Sequence, residues 1–108
     1  MNWIPLTDIA QLDEIDALSS EGASSVAIFK HSTRCSISSM ALNRVNRGEA
    51  TMPVYLLDLI QHRDISNAIA TRYHVMHESP QLLIIKNGAA VHHNSHTMIS
   101  LVEMQTDY

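Results

Sequence analysis

Cys35 is the one cysteine in a chain of 108 residues, so it has no partner within the chain for a disulfide and is either inert or reactive. It lies in the segment Thr33-Arg34-Cys35-Ser36-Ile37-Ser38, after a short apolar run, Ser25-Val26-Ala27-Ile28-Phe29-Lys30, that reads as a buried strand. Ile37, Met40, Ala41 and Val45 then recur on one predicted helical face, which puts the cysteine at a helix start. Backbone N–H groups and the helix dipole stabilise a thiolate at that place, and the neighbouring Arg34 adds positive charge. The chemistry expected is thiol–disulfide exchange with Cys35 as nucleophile. The competing reading is a small buried core residue, against which the polar company of Thr33, Arg34, Ser36 and Ser38 counts.

Cys35-Ser36-Ile37-Ser38 has the spacing of a Cys-x-x-Cys redox motif with serine in the second place. One helical turn on, the Ser38 hydroxyl could donate to a thiolate, or could bond to backbone as first-turn serines commonly do. His31, four residues before the cysteine, could assist proton transfer or hold a structural hydrogen bond. Ser79-Pro80 precedes a predicted strand. In a redox fold of this order a cis proline there would stand opposite the nucleophile and leave the preceding backbone free to pair with an extended substrate, whereas an isolated Ser-Pro is more often a trans turn. The pairs His74/His77 and His92-His93/His96 invite a metal reading. A strand sends His92 and His93 to opposite faces, so these pairs do not converge on the four ligands of a structural zinc site, and no metal is expected.

The elements that must position these residues follow from periodicity and punctuation. Thr7-Asp8 can open a helix carrying Ile9, Leu12, Ile15 and Leu18, with Gly22 at its end. The cysteine-bearing helix should end near Arg47-Gly48. Pro53 to Leu59 reads as a second buried strand, and Asp64 as the N-cap of a helix with Ile65, Ala68, Ile69 and Tyr73 inward. Gln81–Lys86 and 89–93 are joined by Asn87-Gly88, the signature of a type I′ hairpin. Ser100-x-x-Glu103 is a capping box for a last short helix with Leu101, Val102 and Met104 inward. The order α-β-α-β-α-β-β-α predicts an α/β fold with a mixed central sheet and helices on both faces, in a single domain spanning residues 1–108.

Composition narrows the function classes. Apolar residues make up 45% and charged residues 17%, a globular balance, and a formal net charge of -4 with seven Lys and Arg argues against nucleic acid as a partner. No apolar run approaches membrane-spanning length, and Asp8, Asp13, Glu14 and Asp16 fall where an export signal would be apolar. A cytoplasmic protein with no membrane partner is expected.

Phe29-Lys30-His31-Ser32-Thr33-Arg34-Cys35-Ser36-Ile37-Ser38, followed by His77-Glu78-Ser79-Pro80-Gln81, Lys86-Asn87-Gly88 and Ser95-His96, resembles the YtxJ family of monothiol bacilliredoxins over nearly the whole chain. It departs from many relatives at Ser36, where they have proline. The resemblance implies a thioredoxin-like fold, a nucleophilic Cys35 and a cis peptide at Pro80. It also implies an oxidoreductase that removes a low-molecular-weight thiol, bacillithiol, from S-thiolated client proteins. The small thiol would be a co-substrate, with no tightly bound cofactor, and Thr33, Arg34, Ser38 and His31 would flank the nucleophile with Ser79 and Pro80 on the substrate side. The alternative is a non-catalytic thioredoxin-fold scaffold in which Cys35 ligates a metal or an iron–sulfur cluster, or is idle.

Overall fold

A computed structural model describes residues 1–20 and 24–108. Its elements are β1 (Trp3–Pro5), α1 (Gln11–Ser19), β2 (Val26–His31), α2 (Ser36–Val45), β3 (Val54–Asp58), α3 (Arg63–Tyr73), β4 (Gln81–Lys86) and β5 (Ala89–Ser95), followed by 3-10 turns at His96–Met98 and Leu101–Met104. The strands form one mixed sheet in the order β1-β3-β2-β4-β5. β1, β3 and β2 run parallel, as the long helical crossovers require, and β4 pairs antiparallel with both β2 and β5.

Both faces of the sheet are covered, so the central strands are apolar without interruption. Val26 and Ile28 of β2, Tyr55 and Leu57 of β3, and Leu83 and Ile85 of β4 pack under α1 and α3, against Leu12, Ile15, Ile65 and Ile69. The alternate residues Ala27, Phe29, Val54, Leu82 and Ile84 face Ala41 and Val45 of α2, together with Ile99 and Met104. Asp16 joins the two helices of the first face: it accepts from Tyr73 Oη at 2.7 Å and from Arg72 Nη1 at 3.1 Å. The Asn87-Gly88 turn has positive φ at both residues, 52° and 71°, as a type I′ hairpin demands.

Several expectations are corrected. β1 was not anticipated: three residues ending in proline at a sheet edge carry no alternation to read. Ile37 and Met40 do not face the core; they are exposed, and the inward residues of α2 are Ser38, Ala41 and Val45. The inner stripe begins on a serine because that hydroxyl finds partners in the interior, which hydropathy alone does not reveal. Ile9 is exposed ahead of α1, which opens at Gln11. Asp8 still serves that helix start, accepting from Ala10 N–H at 2.9 Å, while the Gln11 side chain accepts from Thr7 and Asp8 N–H. Asp64 lies in the first turn of α3, not at its N-cap, which is His62. Gly22 lies outside the described residues. The Ser100–Glu103 capping box is present, but it opens a 3-10 turn with Met104 buried and Val102 exposed.

Candidate active site around Cys35

β2 delivers the site. Its last residue, His31, still pairs with β3, and the chain then turns through Ser32–Arg34 so that Cys35 N–H donates to Ser32 O at 3.2 Å. Cys35 is the N-cap of α2, in extended conformation (φ -114°, ψ 120°), and among the described residues no side chain caps the helix. The N–H groups of the first turn therefore have neither an intrahelical acceptor nor a side-chain cap, and they lie beside a half-exposed thiol. The first turn carries no acidic residue to oppose a thiolate, and Arg34 is exposed next to it.

Ser38, one turn after the cysteine, is fully buried. Its Oγ accepts from Ser32 N–H at 3.0 Å and lies 2.6 Å from His31 Nδ1. The hydroxyl thus pins the strand end and the active loop to the helix. Ser38 has one hydroxyl proton to donate and a second lone pair to accept with, so it can serve Nδ1 in either tautomer of a neutral imidazole. Burial pushes His31 below the ordinary histidine range, and Asp58 partly offsets this. Thr33 is exposed on the loop between them.

The Ser79–Pro80 bond is cis. β2 and β4 pair Lys30 with Gln81, so one step further along the same antiparallel register sets Pro80 beside His31, at the edge of the active loop. Pro80 O accepts from His96 N–H at 3.1 Å. Ser79 Oγ is enclosed and makes no hydrogen bond among the described residues.

A buried polar group near this loop was not anticipated. Lys30 is fully buried at the end of β2, on the α3 side, where its Nζ donates to His77 Nδ1 at 2.6 Å and to Gln81 Oε1 at 3.2 Å. Gln81 Nε2 in turn donates to Met76 O at 3.0 Å. This chain of contacts ties the segment before Pro80 to the strand that carries the active loop. Burial lowers the Lys30 pKa to about 8. His77 is also held below its usual range, by burial and then by the Lys30 and Arg63 charges, with Glu78 opposing them. The signal available in the sequence was parity: Lys30 has the same facing as Val26 and Ile28, so a lysine there must be buried and partnered. Of the remaining histidines, His62 lines the same cavity as His31, and His92 lies 2.5 Å from Glu103. Among the described residues no three potential ligands converge.

The comparisons with known proteins agree with this geometry. A solved thioredoxin-fold protein described as a candidate oxidoreductase is 35% identical, with a TM-score of 0.78, over 92% of this chain and 87% of its own. Thioredoxin of Malassezia sympodialis superposes with a TM-score of 0.66 at 15% identity, over 94% of this chain and 84% of that one. Thioredoxin f2 of Chlamydomonas reinhardtii gives 0.62 at 10% identity, over 88% and 84%. These two share the fold alone. The sequence matches the family Monothiol bacilliredoxin BrxC over residues 4–104. A thioredoxin fold with one cysteine at the start of α2, spanned almost end to end by that match, places this chain in the monothiol bacilliredoxin family.

Proposed function

We propose that the protein removes a low-molecular-weight thiol, bacillithiol, from S-thiolated client proteins, with Cys35 as the nucleophile. The observation that carries this reading is the half-buried Cys35 at the N-terminus of α2, with serine and not cysteine one turn later. The Cys35 thiolate attacks the sulfur of the small thiol, the S–S bond to the client breaks, and its electron pair leaves on the client sulfur, which takes up a proton. One disulfide is exchanged for another, so no external oxidant or reductant enters this step. Cys35 is left in a mixed disulfide with the small thiol. Because Ser38 has no sulfur, an external thiol must attack this adduct to restore Cys35. Arg34 and the N-terminus of α2 flank the sulfur, His31 and Ser38 hold the loop, Thr33 lies exposed on it, and Ser79-Pro80 borders the path of the client. The setting in which this would operate is the reducing cytoplasm.

Intact-mass measurement of the protein after exposure to bacillithiol disulfide tests the reading, with Cys35→Ser beside it. One small-thiol adduct on the wild type and none on the variant is expected. No adduct on the wild type contradicts the proposal.

A further inference from the structure

We infer that the cavity between the active loop and the β1–β3 edge receives the body of the small thiol that Cys35 takes up, and that it selects for hydroxyl, amine and amide groups. This rests on the exchange reaction proposed above, and adds where the small partner sits and what chemistry recognises it. The cavity has a volume of about 300 Å³, at the lower end of the range for small-molecule sites. His31 and Thr33, four and two residues before Cys35, form its wall on the active-loop side. Trp3 and Leu56 supply its apolar floor, and Asp58 its carboxylate. It opens on the β3 side of β2, whereas Ser79-Pro80 stands on the β4 side, so the two flanks of the active loop are separate surfaces.

The geometry of the reaction gives such a recess a use. Exchange at the small-thiol sulfur aligns three sulfurs, with Cys35 Sγ entering and the client sulfur leaving. The carbon attached to the central sulfur projects sideways from that line, so a recess flanking the active loop can take up the body of the small thiol while the client remains farther out. After the client leaves, the adduct on Cys35 keeps its body in the same place.

The lining states what body fits. No lysine or arginine is among its described lining residues; Asp58 contributes a negative charge, and His31 and His62 contribute two imidazole rings. Asp58 Oδ1 already accepts from Ile60 and Gln61 N–H, at 3.1 and 3.3 Å, leaving Oδ2 to accept from a ligand. With Ser38 on Nδ1, His31 offers its other ring nitrogen, and Thr33 and Gln61 add a hydroxyl and an amide. Donor-bearing hydroxyl, amine and amide groups fit this set over an apolar floor. A carboxylate pressed against Asp58 does not, and belongs at the mouth.

The test compares the rate at which Cys35 is thiolated by bacillithiol disulfide, whose body is an amino sugar, with the rate by 2-hydroxyethyl disulfide, which has almost no body. Gln61→Trp and Thr7→Trp each place a bulky ring on an exposed rim position, one after β3 and one after β1. The ratio of the two rates should fall about tenfold in each variant, equivalent to one decade of selective recognition. An unchanged ratio in both variants, with the wild type still thiolated, overturns the cavity assignment and leaves the exchange reaction standing. Absence of thiolation of the wild type by either disulfide overturns the exchange reaction, and this inference with it.

Discussion

Ser38 shows how much of this site is decided by single hydrogen bonds. Its Oγ is the partner of a buried backbone donor, Ser32 N–H, and of His31 Nδ1. Ser38→Ala removes both contacts without relieving the burial of Ser32. It should destabilise the protein by about 1–3 kcal/mol in denaturant titration, the usual cost of orphaning a buried polar group. His31 has its own signature. Its folded pKa is depressed by burial, so the unfolded chain binds its proton more readily. The stability it contributes is therefore present above the unfolded value of about 6.5 and is lost as pH falls through the lower folded one. Stability should drop less for His31→Gln than for wild type between about pH 7 and pH 5. Lys30 behaves in the same sense at higher pH. Its folded pKa of about 8 lies below the ordinary 10.5, so the unfolded chain holds more protons between those values and wild-type stability should rise across that interval. The gain relative to Lys30→Met should be on the order of 3 kcal/mol, measured as the change in the difference between the two proteins.

At the scale of elements, the strands were the most legible part of the chain. β2, β3 and β4 are buried on both faces and read as unbroken apolar runs, and Asn87-Gly88 named its own turn. Gly88→Ala isolates the conformational part of that turn. Its φ is +71° and a Cβ there would meet nothing nearer than Asp16 Cγ at 3.9 Å, so the loss should be about 1–2 kcal/mol of left-handed strain with no steric addition. Helix facing was harder to read. Ile37 and Met40 supplied an apolar spacing on the outside of α2, while the inside begins with Ser38, whose burial depends on partners far from it in hydropathy terms. β1 was invisible because an edge strand of three residues has no pattern. Yet its Trp3 packs edge-on against Phe29 at 5.8 Å between ring centres and donates to Asn46 Oδ1 at 2.9 Å. The cysteine at a helix start and the Ser-Pro before β4 could be placed from sequence, because each is tied to a boundary between elements. The Lys30–His77–Gln81 group and the Asp58 wall could not, because they are assembled from separate strands and loops by the register of the sheet.

For the whole molecule, one sheet with helices on both faces holds Cys35 just beyond the end of its central strand, where α2, the cis-proline segment and the β3–α3 loop meet. Cys35 forms no disulfide, and its hydrogen bonds with the frame are made by its backbone, so Cys35→Ser should fold as the wild type does. A dithiol enzyme could resolve a client adduct by internal attack; this chain has no second sulfur from cysteine to do so. Release of labelled bacillithiol from a thiolated client, run in parallel with reduction of a two-cysteine protein disulfide, tests this most directly. With reduced bacillithiol supplied, the wild type should release the label and reduce the protein disulfide poorly, and Cys35→Ser should do neither. Release of the label by Cys35→Ser at the wild-type rate would contradict the assignment of Cys35 as nucleophile.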